Sequence, residues 1–257
     1  MATDWINYEL PLNERVRAFM RLEHLFDRFA RHSRGEDPWD SRAAINALLE
    51  AMGILGRGDL RSEILKEMDK QRQTLSRLKN RQGIDDERLE SILVSLEKLK
   101  QRLDDSPAQV DKALKENDFL SAIKQRNTIP GGTCGFDIPS LQNWLLSPVA
   151  KRHADLESWH AGLDAMERCI RLVLMLLRES DSPRNEVAEK GYFQSTLDSQ
   201  GSYQLIRVQI PADAGLFPEI SGGKHRFTIR FLTQPDTDVR PKQVDHDVNF
   251  RLLCCQL

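Results

Sequence analysis

Between residues 13 and 180 the apolar positions recur every three or four residues, and after residue 185 they recur every second residue. The first spacing belongs to α-helices with one buried side, the second to half-buried β-strands. The chain therefore reads as α+β: an N-terminal multi-helix domain over residues 1–181 and a small C-terminal antiparallel sheet domain over 182–257. Residues 6–12 also alternate, so they are expected to add a strand to that sheet.

In the helical part, Asn13 is placed to cap "ERVRAFMRLEHLFDRFARHSR", in which Val16, Phe19, Met20, Leu22, Phe26 and Phe29 form an apolar side. Arg17, Arg21, Arg28 and Arg31 form a basic stripe on the same helix. "DPW" at 37–39 opens the next helix, with Pro38 in its first turn, and "GRG" at 56–58 ends it. Ile64, Met68, Gln71, Leu75 and Leu78 then mark one heptad-like seam, and Leu89, Ile92, Leu96, Leu99 and Leu103 a second. The short Gly-containing link between the seams predicts an antiparallel helical hairpin. Its seams either bury in the same bundle or meet a partner chain.

"SPA" at 106–108 reads as another helix start, and "IPGGTCGFDIP" at 129–139 as a stop that forms a structural corner. Leu156, Trp159, Leu163, Met166, Ile170, Val173 and Leu177 predict one long final helix, most deeply buried at "RLVLMLL". The strand candidates beyond it are "GYFQSTL", "SYQLIRVQI", "KHRFTIRFL" and "DVNFRLLCCQL", separated by "PADAG", "ISGG" and "QPDTD".

Charge changes the picture when it is sorted by face. In "GGKHRFTIRF", Phe227, Ile229 and Phe231 face one side, and Lys224, Arg226, Thr228 and Arg230 the other. Residues 182–257 carry nine cations and nine acids, so they are neutral as a whole. Yet Arg207, Lys224, Arg226, Arg230 and Arg251 fall within predicted strands, whereas the acids read as turn and flank residues. If the strands are neighbours, their non-core sides combine into one basic surface suited to bidentate capture of carboxylates. An acidic peptide, a phosphate-bearing ligand or nucleic acid would fit. Nucleic acid fits least, since no aromatic residue interleaves with the cations to stack on bases.

Other chemistry is thinly represented. At 257 residues with 40% hydrophobic and 30% charged positions, the composition is that of a globular chain, and the net charge of -2 points to no polyanion. There is no signal peptide pattern, and the longest apolar run, "LVLMLL", is far below the roughly 20 residues of a membrane span. Cys134, Cys169, Cys254 and Cys255 lack the paired spacing of a zinc site and read as free thiols of a cytoplasmic protein. The six histidines form no metal-binding pair, the glycine pair at 131–132 is not followed by a lysine, and no nucleophile–base set stands out. Neither a cofactor nor a catalytic group is expected, and the residues by themselves describe a binding protein.

Five stretches in order along the chain, "YELPLNERVRAFMRLE" (8–23), "GRGDLRSEILKEMDKQ" (56–71), "IPGGTCGFDIPSLQNWL" (129–145), "FPEISGGKHRFTIRF" (217–231) and "VNFRLLCC" (248–255), resemble the ZapD family of bacterial cell-division proteins. The resemblance implies a helical domain plus a β-domain, a homodimer and no catalytic activity. It implies binding of the C-terminal tail of FtsZ and cross-linking of FtsZ filaments into bundles that support the Z-ring at midcell. It also implies a basic docking place for that acidic tail between the two domains. The positions that match are Arg57 in "GRG" together with Arg226 and Arg230, with Lys224, Arg21 and Arg207 as further tail-binding candidates. The chain departs from the family pattern at Asp118 and Gln142, where members can carry basic residues.

Overall fold

The computed structural model describes residues 4–56, 59–79, 83, 85–105, 114 and 116–256. They form an α+β protein with eight helices and eight strands among the described residues. The helices are α1 (Glu14–His32), α2 (Pro38–Leu55), α3 (Leu60–Ser76), α4 (Asp86–Asp105), α5 (Asp118–Arg126), α6 (Pro139–Leu145), α7 (Val149–Ala161) and α8 (Asp164–Arg178). The strands are β1 (Trp5–Pro11), β2 (Arg184–Ala188), β3 (Tyr192–Thr196), β4 (Tyr203–Pro211), β5 (Phe217–Gly222), β6 (Arg226–Thr233), β7 (Lys242–Gln243) and β8 (Val248–Gln256). The chain divides into two compact units, residues 18–173 and residues 1–17 with 174–257.

In the helical unit, short polar side chains start the helices by accepting from free backbone N–H groups. Asp37 accepts from Trp39 N, Asp59 from Ser62 N and Asn117 from Leu120 N. Helices α3 and α4 form the expected antiparallel hairpin. Lys79–Glu90, Arg72–Glu97 and Lys100–Asp69 step down one helix as they step up the other. Ile64, Met68, Gln71, Leu89, Leu96 and Leu103 are buried, and the Gln71 amide donates to the Val173 carbonyl. The hairpin thus packs on α8 within one bundle. Leu93 is buried where the heptad reading placed Ile92, so the α4 seam runs slightly off register.

The final helix is not continuous. It breaks into α7 and α8 at Gly162 and Leu163, where Leu163 N bonds to His160 O. Glycine is a poor helix residue, and a one-turn break leaves the three-and-four spacing undisturbed, so periodicity alone missed it. Phe119, Trp144 and Trp159 pack ring against ring at centroid separations of 5.6–5.8 Å to join α5, α6 and α7. The helix start read at 106–108 lies outside the described residues.

The sheet unit is a sandwich of two antiparallel sheets with strand orders β1-β4-β8-β2 and β3-β6-β5, with β7 pairing β6. Ile206, Val208, Ile210, Val248, Phe250 and Leu252 from the first sheet meet Phe227, Ile229 and Phe231 from the second in one core. Phe250 touches Phe193 and Phe231 at ring separations of 5.2 and 5.1 Å. Cys254 and Cys255 point to opposite faces of β8, as alternation requires, so these neighbours cannot pair with each other.

On its outer side the first sheet is covered at one end by the last turn of α8. Leu205, Leu253 and Cys255 are buried there, and Cys255 Sγ lies 4.0 Å from Arg178 O. The segment after α8 is tied on as well, since Cys254 N donates to Asp181 and Gln256 N to Ser180.

Candidate ligand-binding site

The two sheets separate the cations that the sequence reading had joined. Strands β4 and β8 are neighbours in one sheet, whereas β6 belongs to the other. Each sheet turns its apolar side to the shared core, so the two outer faces look in opposite directions. Arg207 and Arg251 lie on one outer face, Arg226 and Arg230 on the other. The single basic surface across three strands does not form.

On the first outer face the arginines are engaged. Arg207 Nε lies 3.2 Å from Glu9, which is also held by Arg178 through Nε and Nη2 at 3.0 Å each. The Arg251 guanidinium sits over the Trp5 ring at 4.1 Å, a cation–π contact. Glu9 lies in the N-terminal strand that the alternation of residues 6–12 led us to expect, but the charge reading of residues 182–257 did not take it into account.

The second outer face is more open. Arg226, Thr228 and Arg230 project from β6, anchored from behind by Phe227, Ile229 and Phe231, which are at most 1% exposed. Across β3 the register sets Tyr192 opposite Arg230, Gln194 opposite Thr228 and Thr196 opposite Arg226. Across β5 it sets Glu219 opposite Arg230 and Ser221 opposite Thr228. Arg230 Nη2 donates to Glu219 Oε2 at 2.5 Å, while no ion pair engages Arg226 among the described residues.

Two expectations change here. Glu219 is a strand residue beside Arg230, not a turn residue. Tyr192 is an exposed aromatic on the basic face, its hydroxyl donating to Gln194. Glu219 was missed because "FPEISGG" was read as turn and flank, and Tyr192 because alternation in "GYFQSTL" does not say that its strand pairs with β6 and sets the ring beside Arg230. Phe217, Glu219 and Ser221 alternating with Pro218 and Ile220 was the period-two signal available.

The remaining candidates are scattered. Lys224 is exposed in the turn that joins β5 to β6, outside the strand to which it was assigned. Arg21 is exposed on α1 in the helical unit, where no ion pair engages it among the described residues. Arg57 lies outside the described residues. In the basic stripe of α1, Arg17 pairs with Glu14 and Arg28 with Glu50.

Elsewhere, burial pushes the thiols of Cys169 and Cys255 up to about 12, and raises that of Cys254 too. These are inert thiols. Among the described residues no cluster of three or more His, Cys, Asp or Glu is arranged to hold a metal, and no helix is long and apolar enough to cross a membrane. The corner at 129–139 borders an apolar cleft of about 490 Å³ lined by Trp39, Leu145 and Leu146. Trp39, Leu146 and the corner residue Phe136 are the three most exposed large apolar side chains among the described residues.

Comparison with known proteins agrees with the pattern of the five stretches. The ZapD family profile, described as a cell division protein, matches residues 20–230. The cell division protein ZapD of Methylococcus capsulatus (strain ATCC 33009 / NCIMB 11132 / Bath) is 41% identical over 253 residues, covering 98% of this chain and 98% of that protein. The chain belongs to the ZapD family of cell division proteins.

Proposed function

We propose that the protein is a cytoplasmic division factor that binds the C-terminal tail of FtsZ and, as a homodimer, cross-links FtsZ filaments into bundles that stabilise the Z-ring at midcell. The observation that carries this reading is the outer face of β6, where Arg226 and Arg230 stand exposed on a strand locked by three buried side chains. A strand fixed in this way holds two guanidinium groups in register for an acidic peptide, at little ordering cost on binding. Lys224 lies in the adjoining turn and adds positive charge, and Arg57 and Arg21 are further candidates from the helical unit. Arg207, on the opposite face and paired with Glu9, is left outside the proposed contact.

Ion pairs at an exposed face are individually weak, about 0–1 kcal/mol, and are screened by salt. One tail on one protomer is therefore held loosely. A dimer presents two such faces to a filament that presents many tails, and linkage of this kind raises apparent affinity by roughly 10²–10⁴ where both ends engage. Bundling, rather than tight single-site binding, is the natural output.

The test is sedimentation of FtsZ filaments with the wild-type chain and with Arg226→Glu and Arg230→Glu. Loss of bundling with an unchanged circular-dichroism spectrum is the expected result. Full bundling by both variants would remove β6 from the site. A gel shift with duplex and single-stranded DNA at physiological salt is expected to show no complex.

A further inference from the structure

We propose that Glu219 is a built-in competitor for the acidic ligand, occupying Arg230 in the free protein and setting how acidic a ligand must be to dislodge it. This rests on the reading of the β6 arginines as the ligand site. The two cations on this face begin in different states. Toward β5 the register runs from Phe217 opposite Leu232 to Gly222 opposite Phe227, so Arg226 falls beside the turn, where no acid stands. Arg230 falls beside Glu219 and is bonded to it at 2.5 Å. One guanidinium is open, and the other is engaged through Nη2 by a carboxylate of the same chain.

This engagement is of a kind that a ligand can undo. The side chains of Arg230 and Glu219 are 56% and 55% exposed, so the pair is surrounded by water on its outer side. Exposed pairs of this sort are worth roughly a two- to five-fold effect on an equilibrium. A ligand with a single carboxylate gains most by meeting Arg226 and less at Arg230, where it must share or displace a carboxylate already bonded to Nη2. A ligand with a second carboxylate in reach, aided by contact with the exposed Tyr192 ring beside Arg230, replaces Glu219 and engages both cations. Glu219 thereby favours ligands with more than one acid over the many singly acidic segments in the cell, which is discrimination by penalising the wrong partner.

The experiment is fluorescence anisotropy of a labelled synthetic peptide of the FtsZ C-terminal tail, titrated with the full chain at fixed salt. Wild type, Glu219→Gln, Arg230→Gln, the Glu219→Gln/Arg230→Gln double variant and Arg226→Glu are compared. The expected result is a two- to five-fold tighter Kd for Glu219→Gln, and no effect of that change on the Arg230→Gln background. An unchanged Kd for Glu219→Gln overturns the inference. So does an equal gain on both backgrounds, because Glu219 would then act by general repulsion and not through Arg230. If Arg226→Glu and Arg230→Gln both bind the peptide as wild type does, it is the β6 site itself that falls.

Discussion

Glu9 and Arg207 face each other across β1 and β4 at 3.2 Å, and the same carboxylate receives Arg178 from the end of α8. The side chain of Glu9 is only 12% exposed and those of both arginines 21%, so this triad is largely withdrawn from solvent. Removing the shared acceptor strands two cations. Glu9→Ala is expected to lower stability by about 2–3 kcal/mol, somewhat less than for a fully buried pair. Arg207→Gln is expected to cost only about 1 kcal/mol, because Arg178 still neutralises Glu9. Urea unfolding of the variants measures both, and FtsZ sedimentation should show that Arg207→Gln still bundles.

Arg152 is a buried cation with no carboxylate partner among the described residues. It is 3% exposed and donates to Ser41 Oγ at 3.0 Å, Leu145 O at 3.1 Å, Ser147 O at 2.7 Å and the Glu36 carbonyl. It therefore pins the start of α2 and the α6–α7 connection to α7. Arg152→Met keeps much of the side-chain volume but leaves these acceptors unsatisfied, each costing about 1–3 kcal/mol when buried. A loss of at least about 3 kcal/mol in urea unfolding is expected. A change below about 1 kcal/mol would show that water replaces the guanidinium.

Acid should weaken the helical unit through Glu167. Burial raises its pKa, but hydrogen bonds from His160 and Arg171 and the charges of both outweigh that, leaving it below its usual value. Its oxygens lie 2.7 Å from His160 Nε2 and 2.8 Å from Arg171 Nε. A carboxylate held low in the folded state contributes stability that is complete above its unfolded pKa and is lost as pH falls through the folded one. Asp155, bonded by the Trp144 indole and Lys151, is also held low and adds in the same direction. Urea midpoints should fall as pH drops below about 4.5. Glu167→Gln should be less stable at neutral pH and lose less between pH 5 and 3, a range of about two units.

The thiols should divide by burial. Cys134 is half-buried, whereas Cys169, Cys254 and Cys255 are buried with raised pKa values. Titration of the native chain with a thiol reagent near neutral pH should show one fast group, and all four in denaturant. A Cys134→Ser chain should lose the fast phase. Rapid labelling of Cys254 or Cys255 would mean that β8 opens readily.

Much of the helical unit was legible because caps and apolar spacing are local. Asn13 caps the helix it was expected to cap, "DPW" opens α2 as read, and the α3–α4 hairpin follows from its two seams. The gap at Gly162–Leu163 left no mark, since Leu156, Leu163 and Ile170 stay seven residues apart through it. The strands were harder for a different reason. Alternation says which side chains face the core, but not which sheet a strand joins. Thus Arg207 and Arg230 both read as outward-facing and were assigned one surface, although their strands lie in opposite layers. Glu219 was invisible for the same reason, as its closeness to Arg230 depends on the β5–β6 register and not on sequence distance.

The alternation along β6 also gives the molecule a ruler. Arg226 and Arg230 are four residues apart on one extended strand, so their backbones are separated by about 13 Å at roughly 3.3 Å per residue. An extended ligand lying along β6 would span that gap with acids four residues apart. A helical ligand, rising about 1.5 Å per residue, would need them eight or nine apart. Because Phe227, Ile229 and Phe231 hold the strand in the core, the backbone spacing is fixed, and only the two arginine side chains adjust to such a ligand. On the proposed function, length as well as charge would then decide which ligands fit β6.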